Sequence, residues 1–179
     1  TVADQMSKTL NQTIVVVNKP GAAHNIAADY VARSSTPANL LLTGDYAVLA
    51  TNPWLYSKLS YNADRDLSSV GMLVRFPLIL VVSPKLPVKN FKEFVAWAKS
   101  QGNKVSYASV GLGSSSHLTM ELLKSTAGFE ATHVPFNGSP PAALSVAQGE
   151  TQALMTVEPA LLALVQGGRL KLLAVTSPQ

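Results

Sequence analysis

The chain has 179 residues, 47% of them hydrophobic and 13% charged, with a formal net charge of +4 and no cysteine. That length and apolar content specify a globular chain with a real core, as one domain or two small lobes, and exclude a disordered one. Lack of cysteine removes disulfides, thiolate metal sites and cysteine nucleophiles; no apolar run reaches membrane-spanning length, and Lys and Arg are too scattered to suit nucleic acid.

Strand-like apolar runs are expected at 14–17, 40–43, 78–82, 105–108, 153–155 and 172–175, alternating with helical patterns. Continuous runs of this kind suit strands covered on both faces by helices, so the expected class is α/β. The loop NKPGAAHN at 18–25 leads into a helix marked by Ile26, Ala27, Tyr30 and Val31. Asn25 is placed to cap that helix, and His24 reads as a surface or packing residue rather than a base.

Gly44, Asp45 and Tyr46 follow the strand at 40–43. Asp45 reads either as a helix cap or as a polar contact to a ligand amine or hydroxyl, the second preferred. Asp64 and Asp66 lie in a polar loop and are expected to be solvated. Residues 70–84 read as strand almost throughout, broken only by Arg75, Phe76 and Pro77. A proline in mid-run suits an edge, a bulge or a crossing between two sheets. We expect a crossover between lobes here, with a second at 175–178. Phe91, Phe94, Val95 and Ala98 then repeat at helical spacing.

The most informative segment is VSYASVGLGSSSHL at 105–118, an apolar strand followed by Gly111, Gly113, the serines Ser114, Ser115 and Ser116, and an amphipathic helix expected at 115–127, ending at Gly128. Two readings stand equally on the spacing. One is a strand-to-helix turn in which Ser114 or Ser115 caps the helix. The other is an anion site in which glycines admit close approach and free helix amides point at the ligand. A phosphate loop needs a Lys after its last glycine, and a dinucleotide fingerprint needs a third glycine; neither is present. The pattern is therefore weak for nucleotides and permissive for carboxylates.

Phe136, Asn137, Gly138 and Ser139 precede a helix opened by Pro140 and Pro141, with Ser139 expected as its N-cap. Helices are expected at 141–148 and 159–166, stopped by Gly149 and by Gly167 with Gly168. Glu158, before Pro159, reads as a structural residue in preference to a ligand contact. The strand-to-helix loops together suit one side of a cleft, where α/β sheets bind ligands.

Hydrolytic chemistry finds little support. There is no G-x-S-x-G elbow, and His117 sits at a helix start beside its own serines. His24, His117 and His133 show no metal-binding spacing, so no metal or cofactor is expected. An α/β hydrolase or transferase using the segment from Ser114 to His117 is the rival reading.

Five stretches, VVNKPGA at 16–22, NPWLY at 52–56, YASVGLGSSSHL at 107–118, HVPFNGS at 133–139 and LAVTS at 173–177, in this order and spacing, resemble the solute receptors of tripartite tricarboxylate transporters, the Bug-type extracytoplasmic binding proteins. The resemblance covers essentially the whole chain. It implies a two-lobed α/β architecture of the type II periplasmic-binding-protein kind, a partial first lobe over 1–76 and a second lobe over 77–179, closing on a small carboxylate. It further implies a monomer in the periplasm, not an enzyme, that delivers its solute to membrane permease subunits. A signalling receptor of the same fold is the other alternative.

Carried over, Ser109, Gly111, Gly113, Ser114, Ser115 and Ser116 would hold a carboxylate from the second lobe. Gly44, Asp45, Tyr46 and Ala47 would face it from the first, and Phe136, Asn137 and Gly138 would form a wall. The chain departs from the family in lacking the opening strand and its Pro-Gly-Gly-type loop and the region after the LAVTS strand, so it is expected to be a fragment with an incomplete first lobe. It also has Thr156 where members often carry aspartate, and Asp45 where a small or hydroxyl residue is common, so the solute does not transfer.

Overall fold

A computed structural model describes residues 1–157, 159 and 161–177. The chain forms two compact units, Thr1–Ser68 and Ser69–Gln179.

The first unit is helical and small-cored. Helix α1 (Val2–Leu10) starts with a reciprocal capping box between Thr1 and Asp4, but none of its residues is buried. Helix α2 (Asn25–Ala32) follows a run of left-handed backbone at Gly21, Ala22, Ala23 and His24. A π-helical turn (Ala47–Thr51) runs into α3 (Asn52–Leu55), and α4 (Ala63–Asp66) is capped by the Asn62 side chain. Ala28, Val48 and Tyr61 form the core. Asp66 is not simply solvated: it accepts from the Asn62 amide and pairs with Arg65.

Two expected strands do not form in this unit. Residues 14–17 and 40–43 have no ladder in the described structure, and Val15, Val16, Val17 and Leu41 are exposed. Apolar content favours a strand, but only a backbone partner makes one. The Asn25 cap is a second correction. Asn25 is the first helical residue, and its buried side chain accepts from Asn52 and Tyr61 instead of from the helix.

The second unit is a five-stranded mixed sheet between two layers of helices. Its elements in order are β1 (Ile79–Val82), α5 (Phe91–Gln101), β2 (Ser106–Ser109), α6 (Ser115–Ala127), β3 (Thr132–Pro135), α7 (Ser139–Gln148), β4 (Ala153–Thr156), α8 (Leu162–Gln166) and β5 (Lys171–Val175). The strand order is β3-β2-β4-β1-β5, with β2 parallel to β3 and β4, and β1 antiparallel to β4 and β5.

Alternation along the strands separates two cores. Leu80, Val82, Tyr107, Ala153 and Met155 pack with Phe94 and Ala98 of α5 and Met120 of α6. Ile79, Val81, Ala108 and Leu154 pack with Ala142, Ala143 and Val146 of α7. The central strands β1 and β4 are buried along their whole length. Of the long run at 70–84 only Ile79–Val82 is strand, while Val70, Met72, Leu73, Val74 and Phe76 stand exposed without a ladder. Conversely, β3 is a strand that apolar runs do not reveal. It is a partly polar edge strand ending in Pro135, which the sheet tolerates there because no neighbour needs its missing amide.

Glu158 and residue 178 of the expected second crossover lie outside the described residues.

Candidate functional site

Because β2, β3 and β4 run parallel, they deliver their carboxyl ends, at Ser109, Pro135 and Thr156, to one edge of the sheet. That edge therefore carries the turn before α6, the turn before α7 and the exit of β4. It is the edge where parallel sheets place ligands.

The turn before α6 is tightly determined. Gly111 and Gly113 adopt φ of 132° and 76°, conformations that disfavour any side chain. Ser114 is the N-cap: its Oγ accepts from the His117 amide at 3.3 Å and donates to the Gly111 carbonyl at 2.6 Å. One of the two sequence readings, the capped turn, is thus realised, and it leaves the other intact. The amides of Ser115 and Ser116, in the first turn of α6, have no acceptor within the helix, and the positive end of its dipole lies there. Ser116 is 1% exposed, and its Oγ has no hydrogen-bond partner. A buried hydroxyl without a partner costs free energy unless a ligand supplies one.

Ser109 is completely buried at the end of β2. Its Oγ accepts from the Gly111 amide at 3.1 Å and lies 2.6 Å from His133 Nε2. The parallel register pairs Tyr107 with His133, bringing His133 under the turn, and its ring stacks on that of His117 at 4.1 Å. His117 Nδ1 in turn accepts from the Gly113 amide at 3.1 Å. Burial lowers the pKa of His117, and burial with the neighbouring His117 brings His133 down to about 4, so both rings are neutral at pH 7. His133 escapes a reading of spacing because only the β2–β3 pairing brings it here.

The Ser114–His117 pair gives no support to a hydrolase. The Ser114 hydroxyl donates to a carbonyl and the His117 Nδ1 is taken by an amide, so no serine-to-imidazole relay is assembled between them. Among the described residues no cluster of histidine and acidic side chains suits a metal.

Phe136 continues the β2–β3 pairing by donating to the Ser109 carbonyl at 2.9 Å and is partly buried against the second core. Asn137 is exposed, and Gly138, with φ of 107°, is the N-cap of α7. The expected Ser139 cap is therefore displaced by one position. Ser139 lies inside the helix, with its Oγ 3.0 Å from the Thr156 Oγ1 across the edge.

Gly44, Asp45, Tyr46 and Ala47 belong to the first unit. Asp45 does what a cap does, accepting through Oδ1 from the amides of Ala47 at 3.0 Å and Val48 at 3.4 Å. Its Oδ2 lies 3.3 Å from His24 Nδ1, so His24, when protonated, pairs with Asp45 and is not merely a surface residue. Burial works to raise the Asp45 pKa, but His24 and the two amides outweigh it and hold the carboxyl below its usual range. Gly44 and Tyr46 are exposed, whereas Ala47 is buried. Burial and the Asp45 charge push the Tyr46 hydroxyl well above its ordinary range.

Comparison with known proteins places this arrangement in a family. The model described as tripartite tricarboxylate transporter family receptor matches residues 1–179. Protein BugT of Bordetella pertussis is 33% identical over 177 residues, covering 98% of this chain and 54% of BugT. The UPF0065 protein in the gbd 5' region of Cupriavidus necator is 30% identical over 173 residues, covering 97% of this chain and 52% of that protein. Among solved structures, Rpa4515 of R. palustris with adipate is similar with a TM-score of 0.93 at 31% identity, over 99% of this chain and 60% of that one. MatC from Rhodopseudomonas palustris with bound malate gives 0.87 at 26%, over 99% and 60%, and the periplasmic binding protein BugD gives 0.83 at 27%, over 99% and 59%. The chain thus spans about half the length of these curated relatives. The α/β fold expected from the sequence is that of periplasmic binding proteins of this type, and the matched family is one of receptors rather than enzymes. The chain belongs to the tripartite tricarboxylate transporter receptor family.

Proposed function

We propose that the protein is an extracytoplasmic receptor that binds a small carboxylate solute and presents it to the membrane permease subunits of a tripartite transporter. The observation that carries this reading is the start of α6. Two left-handed glycines and the Ser114 cap set the start of α6, where the amides of Ser115 and Ser116 have no acceptor within the helix and lie beside the unpartnered, buried Ser116 hydroxyl. A carboxylate accepts from such donors without a cationic side chain, because the helix dipole and the charge-assisted amide bonds supply the attraction.

Ser109, Gly111, Gly113 and Ser114 shape the turn, Ser115 and Ser116 bond the solute, and Phe136, Asn137 and Gly138 form the adjacent wall. For Gly44, Asp45, Tyr46 and Ala47 as solute contacts, the support is the family resemblance alone. The similar structures with adipate and malate favour a dicarboxylate. The periplasmic relatives favour an extracytoplasmic location.

Calorimetric titration with adipate, malate, citrate and acetate tests the reading. Saturable binding of at least one di- or tricarboxylate is expected, with a roughly tenfold loss, about 1.4 kcal/mol, in Ser116→Ala. Absence of binding by all four at millimolar concentration would overturn it.

A further inference from the structure

The stacked histidines beside the turn have no part in the carboxylate contacts, yet they touch the backbone that makes those contacts. Gly113 is buried, and its amide proton goes to His117 Nδ1 at 3.1 Å. That bond fixes the tautomer: Nδ1 must be bare, so the neutral ring carries its proton on Nε2. The same ring lies 4.1 Å from His133 at an interplanar angle of 22°, and His133 is stacked in turn on Tyr107 at 5.1 Å. The column Tyr107, His133, His117 thus runs from the buried strand β2 to the turn.

Resting on the reading of the α6 start as the carboxylate site, we propose that His117 is a positioning residue, which in its neutral form holds the Gly111–Gly113 turn so that the first amides of α6 face the solute. Protonation would turn Nδ1 from acceptor into donor, facing another donor at 3.1 Å. Two N–H groups cannot share that contact, and the buried Gly113 amide has no ready exchange for water. The turn must then open, and its amides lose their alignment. His133 keeps its own neutral form, since burial and the stacked His117 ring both oppose a charge on it. It also anchors the other end of the turn through Ser109, which accepts from the Gly111 amide.

The charged groups facing the pair are Glu121 and Lys124, both on α6. Glu121 favours protonation of the rings by its charge, but its oxygens are engaged by Lys124 Nζ at 2.8 and 3.0 Å and by the Tyr107 hydroxyl. Lys124 opposes protonation, as does burial. Tyr107, from β2, is neutral, its hydroxyl held above its ordinary range by burial and by Glu121.

The test is nitrogen-15 NMR of the protein from pH 7.5 to 4, with the affinity for adipate and malate measured over the same range. His117 should show an unprotonated Nδ1 at pH 7.5, and the Gly113 amide signal should move with the midpoint of His117 protonation. Affinity should fall by about tenfold or more across that midpoint. His117→Leu should lower affinity about tenfold at pH 7.5, and His117→Asn, which keeps an acceptor near the Nδ1 position, should recover most of it. A Gly113 amide indifferent to His117 titration, or a proton on Nδ1 at pH 7.5, overturns the inference. If none of adipate, malate, citrate and acetate binds the native protein, the carboxylate reading fails, while the Gly113 and His117 signals, which need no variant and no ligand, still decide whether the ring holds the turn.

Discussion

Asn52 donates from Nδ2 to Asn25 Oδ1 over 2.7 Å, and the same Nδ2 donates to the Ala23 carbonyl at 2.9 Å, with Asn52 wholly buried. Ala23 lies in the left-handed run before α2, at φ of 49°, where a β-carbon is disfavoured. The two bonds therefore hold a strained loop against the start of α3. The Tyr61 hydroxyl completes the cluster, 2.9 Å from Asn25 Oδ1 and 3.1 Å from the Val48 carbonyl.

With a core of only a few apolar residues, the first unit depends heavily on this polar cluster. Asn52→Leu removes the donor to Ala23 and should cost about 2–3 kcal/mol in urea denaturation, whereas Tyr61→Phe, which leaves Asn25 Oδ1 bonded to Asn52, should cost about 1 kcal/mol. Equal costs would mean that the left-handed loop does not need the Asn52 tether.

The N-cap of α6 separates adjacent serines that look equivalent in the sequence. Ser114 bonds both the His117 amide and the Gly111 carbonyl, so Ser114→Ala should destabilise the second unit by about 1–2 kcal/mol. Ser115 is a partly buried residue of the first helical turn, and Ser115→Ala should stay within about 0.5 kcal/mol of the native protein. Thermal unfolding of the two variants side by side checks this; a larger loss in Ser115→Ala would move the cap to that residue.

What the sequence revealed follows how local each determinant is. Helix α6 begins at Ser115 and ends before Gly128 as its cap and stop residues demand, and α5 follows from the spacing of Phe91, Phe94, Val95 and Ala98. The strands at 105–108, 153–155 and 172–175 are found within a residue of their expected places, because each meets a neighbouring strand in the second unit. The equally apolar runs at 14–17, 40–43 and 70–76 have no such neighbour in the described structure, and β-propensity alone cannot supply one. The site divides in the same way. The glycines and the Ser114 cap are legible because their partners lie within four residues. His133 and Thr156 reach the edge only through the order of strands in the sheet, which no local pattern encodes.

Acid should act oppositely on the two units. His117 and His133 have folded pKa values below the ordinary 6.5 of a histidine, His133 at about 4, with burial the main cause. Between pH 6.5 and 4 the unfolded chain therefore binds more protons at these rings than the folded one. Their contribution is fully present above about 6.5 and is lost as pH falls toward 4, on the order of 1–2 kcal/mol. His24 is shifted the other way, because Asp45 accepts from it and favours its charged form. Its contribution is present below about pH 6.5 and is lost as pH rises through its raised value, and the exposure of the pair keeps it small. Trp97 belongs to the first core of the second unit and Trp54 to the first unit, so a Trp54→Phe variant lets fluorescence report Trp97 alone. Its urea midpoint should fall on acidification from pH 7 to 4.5, while hydrogen exchange in α2, corrected for intrinsic rates, should show no matching loss of protection down to pH 5.5. A Trp97 midpoint that is flat or rises between pH 6.5 and 4.5 would mean that the fold does not oppose protonation of the stacked histidines.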